Sequence, residues 1–151
     1  MAEVKPERTN WRCEKISNRH RLYGLKTPAV DIDFLLLEHT YGIPAALVEY
    51  KDKHAREPNL DDSNYRAIKA LADGYIRKLP FMIVFYCSDK WTYRVIPVND
   101  TAKDSYAENQ LMSEQEYVKS LYLLRNYVLE VGDELTISKL NNEIPENINL
   151  K

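Results

Sequence analysis

Residues 31–53, DIDFLLLEHTYGIPAALVEYKDK, constrain the fold more than any other part of the chain. Two apolar runs, FLLL and AALV, flank a short link that contains the turn signal Tyr41-Gly42, with Pro44 just beyond it. Two such runs around a short glycine-containing link predict an antiparallel hairpin. Because both alternate sets of side chains in the first run are apolar, we expect both sides of the sheet to be covered and the hairpin to form a central pair of strands.

The segments around this hairpin alternate between helical and strand-like patterns. Residues 6–22 predict a first helix, and a second helix is predicted from about Ser63 to Lys78, where apolar residues recur at helical spacing. The runs FMIVFYC and WTYRVIPV predict a second hairpin. Pro97 places the end of its last strand near a sheet edge, because proline has no amide to donate.

The C-terminal third begins with a capping signal. Ser113 followed by Glu116 is a capping box and predicts the start of a third helix, which stops near Gly132. One stripe of this helix is apolar: Tyr117, Leu121, Leu124 and Val128. The order helix, hairpin, helix, hairpin, helix predicts a single α/β domain over residues 1–132, a mixed central β-sheet flanked by helices. Residues 133–151 form a polar tail, for which the composition predicts partial mobility.

Composition limits the kind of protein that this chain can be. With 151 residues and 44% hydrophobic composition, the chain suffices for one compact domain. No apolar run is long enough to cross a bilayer, so we expect no membrane partner and an intracellular, cytoplasmic protein. Cys13 and Cys87 have no short spacing between them and predict neither a disulfide scaffold nor a zinc site. A net charge of −2 excludes nucleic-acid binding through bulk positive charge, although the acidic residues concentrate in the C-terminal third.

Charged residues bracket the apolar runs of the first hairpin. Residues two apart in a strand share a face at about 6.6 Å spacing, so Asp31 and Asp33 point the same way, as do Glu49 and Lys51. Directly opposed residues of an antiparallel pair also share a face. The two pairs therefore meet only if opposed residue numbers sum to an even value, which places Asp33 opposite Glu49 or Lys51. An odd sum would send the pairs to opposite faces.

Carboxylates clustered beside apolar strands are costly to bury unpaired, and a divalent cation removes that cost. Oxygen ligands at this density suit Mg²⁺ or Mn²⁺. A lysine beside such a cation can orient a water or stabilise charge that develops on a phosphorane-like transition state. The reaction class that follows is metal-assisted hydrolysis of a phosphodiester.

The aspartate before one strand and the sequence V-E-Y-K at the end of the next resemble the PD-(D/E)xK nuclease superfamily, which has a restriction-endonuclease-like core. The resemblance covers about residues 6–98. It implies that Asp33 or Asp31 and Glu49 hold Mg²⁺ or Mn²⁺, that the carbonyl of Tyr50 contributes, and that Lys51 acts on the attacking water. The activity implied is phosphodiester hydrolysis by a metal-activated water, with DNA as the expected substrate.

The resemblance also extends to the first predicted helix. A glutamate on this helix contributes to the site in many members of the superfamily, and Glu14 is the acidic residue placed for that role. The chain departs from the family pattern because Val30 or Ile32, not proline, precedes the aspartate. The choice between the two aspartates is therefore open, and Asp33 is favoured because it directly precedes the FLLL run.

Basic residues outside the motif are candidates for contacts with nucleic acid. Arg19, His20 and Arg21 end the first predicted helix, and Lys53 continues beyond the second strand of the hairpin. Solvation at a helix end explains the first three equally well, because cations are favoured at a helix C-terminus. The tyrosines of the third helix leave a homodimer contact open. Two other functions also stay open: an interaction module with a degenerate acidic site, and an RNA-processing nuclease on the same fold.

Overall fold

One helix belongs to the N-terminal unit of the structure. The computed structural model describes residues 14–24 and 26–130, and the chain divides into two units, Met1–Asp31 and Ile32–Lys151, each of which is described by itself. The helix α1 spans Glu14–Arg21, which confirms the C-terminal part of the predicted first helix. The rest of that helix, residues 6–13, and the predicted tail, residues 133–151, lie outside the described residues.

A mixed sheet forms the centre of the second unit. Its strands, in chain order, are Phe34–Glu38 (β1), Ile43–Asp52 (β2), Phe81–Cys87 (β3), Thr92–Pro97 (β4) and Gln110–Ser113 (β5). The helices are Ser63–Gly74 (α2), Asp100–Lys103 (α3) and Glu114–Glu130 (α4). The strands lie in the order β1-β2-β3-β4-β5. The pair β2–β3 is parallel, and the other neighbouring pairs are antiparallel.

Both faces of the central strands are buried under helices. On one face, Val48 of β2 and Val84 of β3 pack in a cluster with Tyr117 of α4. On the other face, Leu47 and Ile83 share a cluster with Ile68 of α2. Alternation along each strand sends successive side chains to opposite faces, so strands covered on both sides are apolar throughout. The predicted fold class, an α/β fold with a mixed sheet and helices on its two faces, is confirmed.

The strand β1 lies at the edge of the sheet, so its predicted central position is wrong. Its large side chains are well exposed, with relative accessibilities of 46% for Phe34, 48% for Leu35 and 43% for Leu37. The physical reason is the parallel partner of β2. The chain crosses over through α2 and adds β3 to the side of β2 that faces away from β1. Each later strand extends the sheet in that direction, so among the described residues nothing pairs with the outer side of β1.

The link between β1 and β2 is shaped by a buried carboxylate as well as by glycine. Glu38 is 2% exposed, and its carboxylate accepts hydrogen bonds from the amides of Thr40 at 2.8 Å and Tyr41 at 2.7 Å. Burial acts to raise the pKa of Glu38, but the two amides outweigh it and the pKa is lowered. Gly42 follows at a φ of 66°, where a side chain would be strained. The predicted turn at Tyr41-Gly42 is confirmed.

Local signals at the helix ends are partly confirmed. The capping box before α4 is present: the Ser113 amide donates to the Glu116 carboxylate at 2.9 Å, and the Glu116 amide donates to Ser113 Oγ at 3.2 Å. The helix α2 begins at Ser63 as predicted but ends at Gly74, before the predicted end at Lys78. Lys78 has a φ of 47°, which no helix continues through. Among the described residues, none of the helices combines the length and apolar character required to cross a bilayer.

Asn99 connects four segments of the second unit. It is fully buried, and its Oδ1 accepts from the amides of Phe81 at 2.9 Å and Ala102 at 3.1 Å. Its Nδ2 donates to the carbonyl of Leu79 at 2.7 Å and to the carboxylate of Asp73 at 2.9 Å. One side chain thus satisfies polar groups at the end of α2, the start of β3 and the first turn of α3, groups that are expensive to leave unpaired inside the protein.

We expect Asn99→Ala to destabilise the fold strongly, because the amide of Phe81 and the carbonyl of Leu79 would lose their buried partner. At about 1–3 kcal/mol for each orphaned group, the free energy of unfolding should fall by roughly 3 kcal/mol or more. Urea unfolding measures this change. The matched variant Asn64→Ala, at an exposed position of α2, should stay within about 0.5 kcal/mol of the parent. Equal losses in the two variants would contradict the role of Asn99.

Candidate active site

The register of β1 against β2 determines whether the predicted carboxylates can meet. Phe34 lies opposite Val48, and Leu35 lies opposite Leu47, so opposed numbers sum to an even value. Nearer the turn, Leu37 lies opposite Pro44, an odd sum, so the β-bulge between Leu36 and Leu37 shifts the pairing by one residue and produces the even register at this end of the ladder. The even register that the sequence analysis required is confirmed. Extended by one residue, it places Asp33 opposite Glu49.

Asp33 contacts β2 directly, just beyond the end of β1. Its Oδ2 accepts a hydrogen bond from the amide of Tyr50 at 3.3 Å. The amide of Leu47 bonds to the carbonyl of Pro80 next to β3, so the amide of Tyr50, an odd number of residues later, points the opposite way, towards β1. The Asp33 carboxylate therefore takes the place of the next backbone carbonyl of β1 and ends the ladder.

Glu49 and Lys51 form the charged part of the site. Lys51 Nζ lies 2.9 Å from Glu49 Oε1, and the side chains are 24% and 19% exposed, respectively. Glu49 lies on the same face as Leu47, which is the α2 face of the sheet. Tyr65 of α2 donates its hydroxyl to the same Oε1 at 3.3 Å, and Lys51 Nζ lies 5.8 Å from the centroid of its ring. Among the described residues, Glu49 Oε2 accepts no hydrogen bond, so this oxygen is open to a further partner.

The protonation of Lys51 follows from these contacts. Burial acts to lower the pKa of Lys51, but the hydrogen bonds and charges of Glu49 and Tyr65 outweigh burial, and the pKa lies above its ordinary value. Burial likewise raises the pKa of the Tyr65 hydroxyl. Both groups therefore carry their protons at neutral pH. In this arrangement Lys51 is a cation that can stabilise developing negative charge.

Tyr50 connects the site to the opposite face of the sheet. Its hydroxyl is hydrogen-bonded to that of Tyr117 on α4, and its ring packs edge-on against Phe34 at 5.0 Å between centroids. Burial raises the pKa of both hydroxyls. Because the amide and carbonyl of one strand residue point to the same side, the carbonyl of Tyr50 is directed past the end of β1, beside Asp33. Packing against α4 thus fixes the orientation of a predicted backbone ligand.

The oxygen atoms of this site fit a hard divalent cation in kind. They are the carboxylates of Asp33 and Glu49 and the carbonyl of Tyr50, which is the ligand chemistry that Mg²⁺ prefers. Among the described residues, no group of three or more His, Cys, Asp or Glu side chains is placed to hold a metal ion. Asp31 belongs to the N-terminal unit, and its predicted role as a metal ligand stays a prediction. Within the second unit, the two carboxylates and the carbonyl would be available to a cation, with water completing its coordination.

The remaining predicted site residues are placed as follows. Glu14 begins α1, and its side chain lies outside the described residues. Arg19, His20 and Arg21 occupy the last turn of α1, where His20 Nε2 lies 2.7 Å from the carbonyl of Thr27. Their role in binding nucleic acid stays a prediction.

Lys53 lies just beyond β2 and is already engaged by neighbouring side chains. Its Nζ contacts the carboxylate of Asp89 at 3.1 Å and Cys87 Sγ at 3.4 Å. The Asp89 carboxylate, followed by the thiol, raises the pKa of Lys53. A phosphate would have to compete with Asp89 for this lysine, so its predicted contact with nucleic acid also stays a prediction.

Sequence reasoning missed Tyr65, because its spacing assigns it to the apolar stripe of α2. The position of α2 in the chain could have identified it. The helix connects the two parallel strands, and its first turn packs on the face of β2 that carries Glu49. Tyr117, in contrast, is 2% exposed and packs in the core, as its place in the apolar stripe of the third predicted helix indicated.

No protein-family model, no curated protein and no solved structure matches this chain. The resemblance to the PD-(D/E)xK superfamily therefore stays a prediction from the sequence.

We expect Glu49→Gln to lower the pKa of Lys51. The substitution removes the nearby negative charge while the burial that opposes protonation remains. A ¹³Cε NMR titration of the lysines reports this pKa directly. Glu108→Gln, a change at an exposed carboxylate of the loop before β5, should leave it unaltered. An unchanged or raised pKa for Lys51 in Glu49→Gln would show that the ion pair does not control this lysine.

Proposed function

We propose that the protein is a metal-dependent nuclease that hydrolyses phosphodiester bonds in DNA, with Mg²⁺ or Mn²⁺ as its cofactor and a site of the PD-(D/E)xK kind. The observation that supports it best is the even register of β1 and β2, which opposes Asp33 to Glu49. Lys51 lies 2.9 Å from Glu49 on the same strand. The three groups that this chemistry needs therefore belong to one end of one hairpin.

The carboxylates of Asp33 and Glu49 and the carbonyl of Tyr50 would hold the cation. When bound, a divalent cation supplies charge neutralisation at the phosphate and a water of lowered pKa. Tyr65 and Lys51 both bond to Oε1 of Glu49, and this orients the carboxylate so that Oε2 is free to coordinate. Tyr65 is therefore a positioning residue in this proposal, because it acts through Glu49.

Lys51 has a role of its own in the proposed mechanism. Its pKa is raised, so at neutral pH it carries a positive charge beside Glu49, one of the residues that would hold the cation. A fixed cation in a partly buried site stabilises charge that grows on the phosphate oxygens during attack, a contribution of about 10²–10³-fold in rate for one preorganised donor. The charge of Lys51 is available without reorganisation, because Glu49 already holds the ammonium in place.

A second candidate function is a binding module on the same fold with no catalytic activity. A specific observation favours it: each carboxylate of the pair already has partners within the protein. Asp33 accepts the amide of Tyr50, and Glu49 accepts Lys51 and Tyr65. Carboxylates that are satisfied in this way are stable without a cation. The two functions differ in one measurable property, the binding of a divalent metal ion.

We expect the purified protein to nick or linearise supercoiled plasmid DNA with Mg²⁺ or Mn²⁺ and to be inactive in EDTA. Lys51→Ala should lower the rate by about 10²-fold or more, because transition-state charge loses its fixed counterion. Lys103→Ala, at an exposed lysine of α3, is the matched control and should cleave like the parent. Agarose-gel time courses measure all three rates. Cleavage by Lys51→Ala at the parental rate would remove Lys51 from the mechanism.

Metal binding is tested separately from cleavage. We expect Mn²⁺ to raise the melting temperature of the parent protein and to have little effect on Glu49→Gln, which loses a charged ligand. Differential scanning fluorimetry over a Mn²⁺ titration measures the shift. A parent protein that shows neither a Mn²⁺ response nor cleavage would identify the binding module. Cleavage of structured RNA without cleavage of DNA would identify the protein as an RNA-processing nuclease that uses the same site.

A further inference from the structure

A row of paired residues crosses the sheet next to the candidate active site. Lys51 of β2 pairs with Phe85 of β3, Phe85 pairs with Arg94 of β4, and Arg94 pairs with Leu111 of β5. Paired residues of neighbouring strands share a face, so Arg94 lies on the same face as Lys51 and Glu49. Two strand spacings of about 4.8 Å each place the backbone of Arg94 roughly 10 Å from that of Lys51.

The guanidinium of Arg94 is held in a fixed position on this face. Its Cζ lies 4.3 Å from the centroid of the buried Phe85 ring. Its Nη1 donates to Asn109 Oδ1 at 2.6 Å, and its Nη2 forms an ion pair with the carboxylate of Glu57. The side chain is 28% exposed. A guanidinium held over an aromatic ring and by two polar contacts loses little further freedom when it binds an anion, so this residue is preorganised.

Glu57 is an exchangeable partner for this arginine. It lies in the loop between β2 and α2 and is 67% exposed even while paired with Arg94. A carboxylate that is mostly in water recovers its hydration at little cost when it leaves, and an exposed ion pair contributes little stability. A phosphodiester offers two non-bridging oxygens in place of the carboxylate, and a guanidinium can bind these in a bidentate manner.

We propose that Arg94 binds a backbone phosphate of the DNA substrate that flanks the scissile phosphate, and that Glu57 occupies this position until the DNA displaces it. This inference rests on the nuclease function proposed above. A separation of roughly 10 Å exceeds the axial rise of about 3.4 Å per nucleotide, so the two residues can contact different phosphates of one strand. Lys51 and Arg94 then define the direction of the strand across the sheet, from β2 towards β4.

In this proposal the loop that carries Glu57 helps to select the substrate. A neutral ligand cannot displace the Glu57 carboxylate from Arg94, whereas a polyanion can, because it supplies another negative charge to the guanidinium. The competition also lowers affinity for short anions, which contact Arg94 without reaching Glu49 and Lys51. Selectivity for a strand of several nucleotides follows from the spacing of the two sites.

Binding of a fluorescein-labelled DNA duplex, followed by anisotropy in EDTA over a series of salt concentrations, tests this inference. We expect Arg94→Gln to weaken binding about tenfold and to reduce the slope of log K against log salt by about one, the signature of one lost phosphate contact. Glu57→Gln should tighten binding severalfold, because the competing charge is gone. Lys103→Gln, which also removes one positive charge, should leave affinity and slope unchanged.

Two further variants separate phosphate binding from an effect on folding. Arg94→Lys keeps the charge on the face and should keep the salt slope while losing part of the affinity, because lysine cannot bind in a bidentate manner. In the double variant Arg94→Gln with Glu57→Gln, the tightening due to Glu57→Gln should vanish, since Glu57 acts through Arg94. Tightening that persists in the double variant would overturn the competition.

The outcome for the parent protein distinguishes failure of this inference from failure of the nuclease function. A parent protein that cleaves DNA in a Lys51-dependent manner, together with an Arg94→Gln variant of unchanged affinity and slope, refutes the role of Arg94 alone. A parent protein that neither binds nor cleaves DNA refutes the nuclease function, and the Arg94 inference falls with it. Binding of RNA but not of DNA, with the same dependence on Arg94, overturns the assignment of DNA as the ligand.

Discussion

The parallel pairing of β2 with β3 is the constraint on which the rest of the structure depends. A parallel pair requires a crossover, and residues 53–80, including α2, supply it. The crossover buries one face of the two strands under α2, and α4 buries the other. It also brings the C-terminal ends of both strands to the same end of the sheet. The charged residues of the candidate site lie at that end, where the side chains of β2 become less buried.

The candidate site depends on this decrease in burial. Residues 45–48 of β2 are buried, whereas Glu49 and Lys51 are partly exposed. A charge pair deeper in the strand would pay a large desolvation cost, and one on the open surface would be screened by water and salt. At this partly exposed position, Tyr65 and Glu49 hold the ammonium group of Lys51 in place, and solvent can still reach it. Fixed charge that a substrate can still reach is the property that the proposed hydrolysis requires.

Predictions from the local sequence pattern were accurate for features whose conformation is decided by a few neighbouring residues. The capping box of Ser113 and Glu116 and the turn at Gly42 depend on neighbours within a few residues, and both are present. The position of β1 was wrong, since an apolar composition on both sides of a strand does not reveal whether a further strand pairs with it. The short elements α3 and β5 were missed because four residues carry too little periodicity to be recognised.

The sequence by itself determined, through side-chain alternation, that Glu49 and Lys51 share a face of β2 and that Asp33 faces them only in an even register. The structure decided the register, because the β-bulge between Leu36 and Leu37 shifts the pairing from an odd to an even sum. Only the tertiary structure decided what surrounds these three charged residues. The contact of Tyr65 with Glu49 and the pairing of Arg94 with Glu57 join residues that are 16 and 37 positions apart. Such contacts follow from the crossover and the strand order, which no local periodicity encodes.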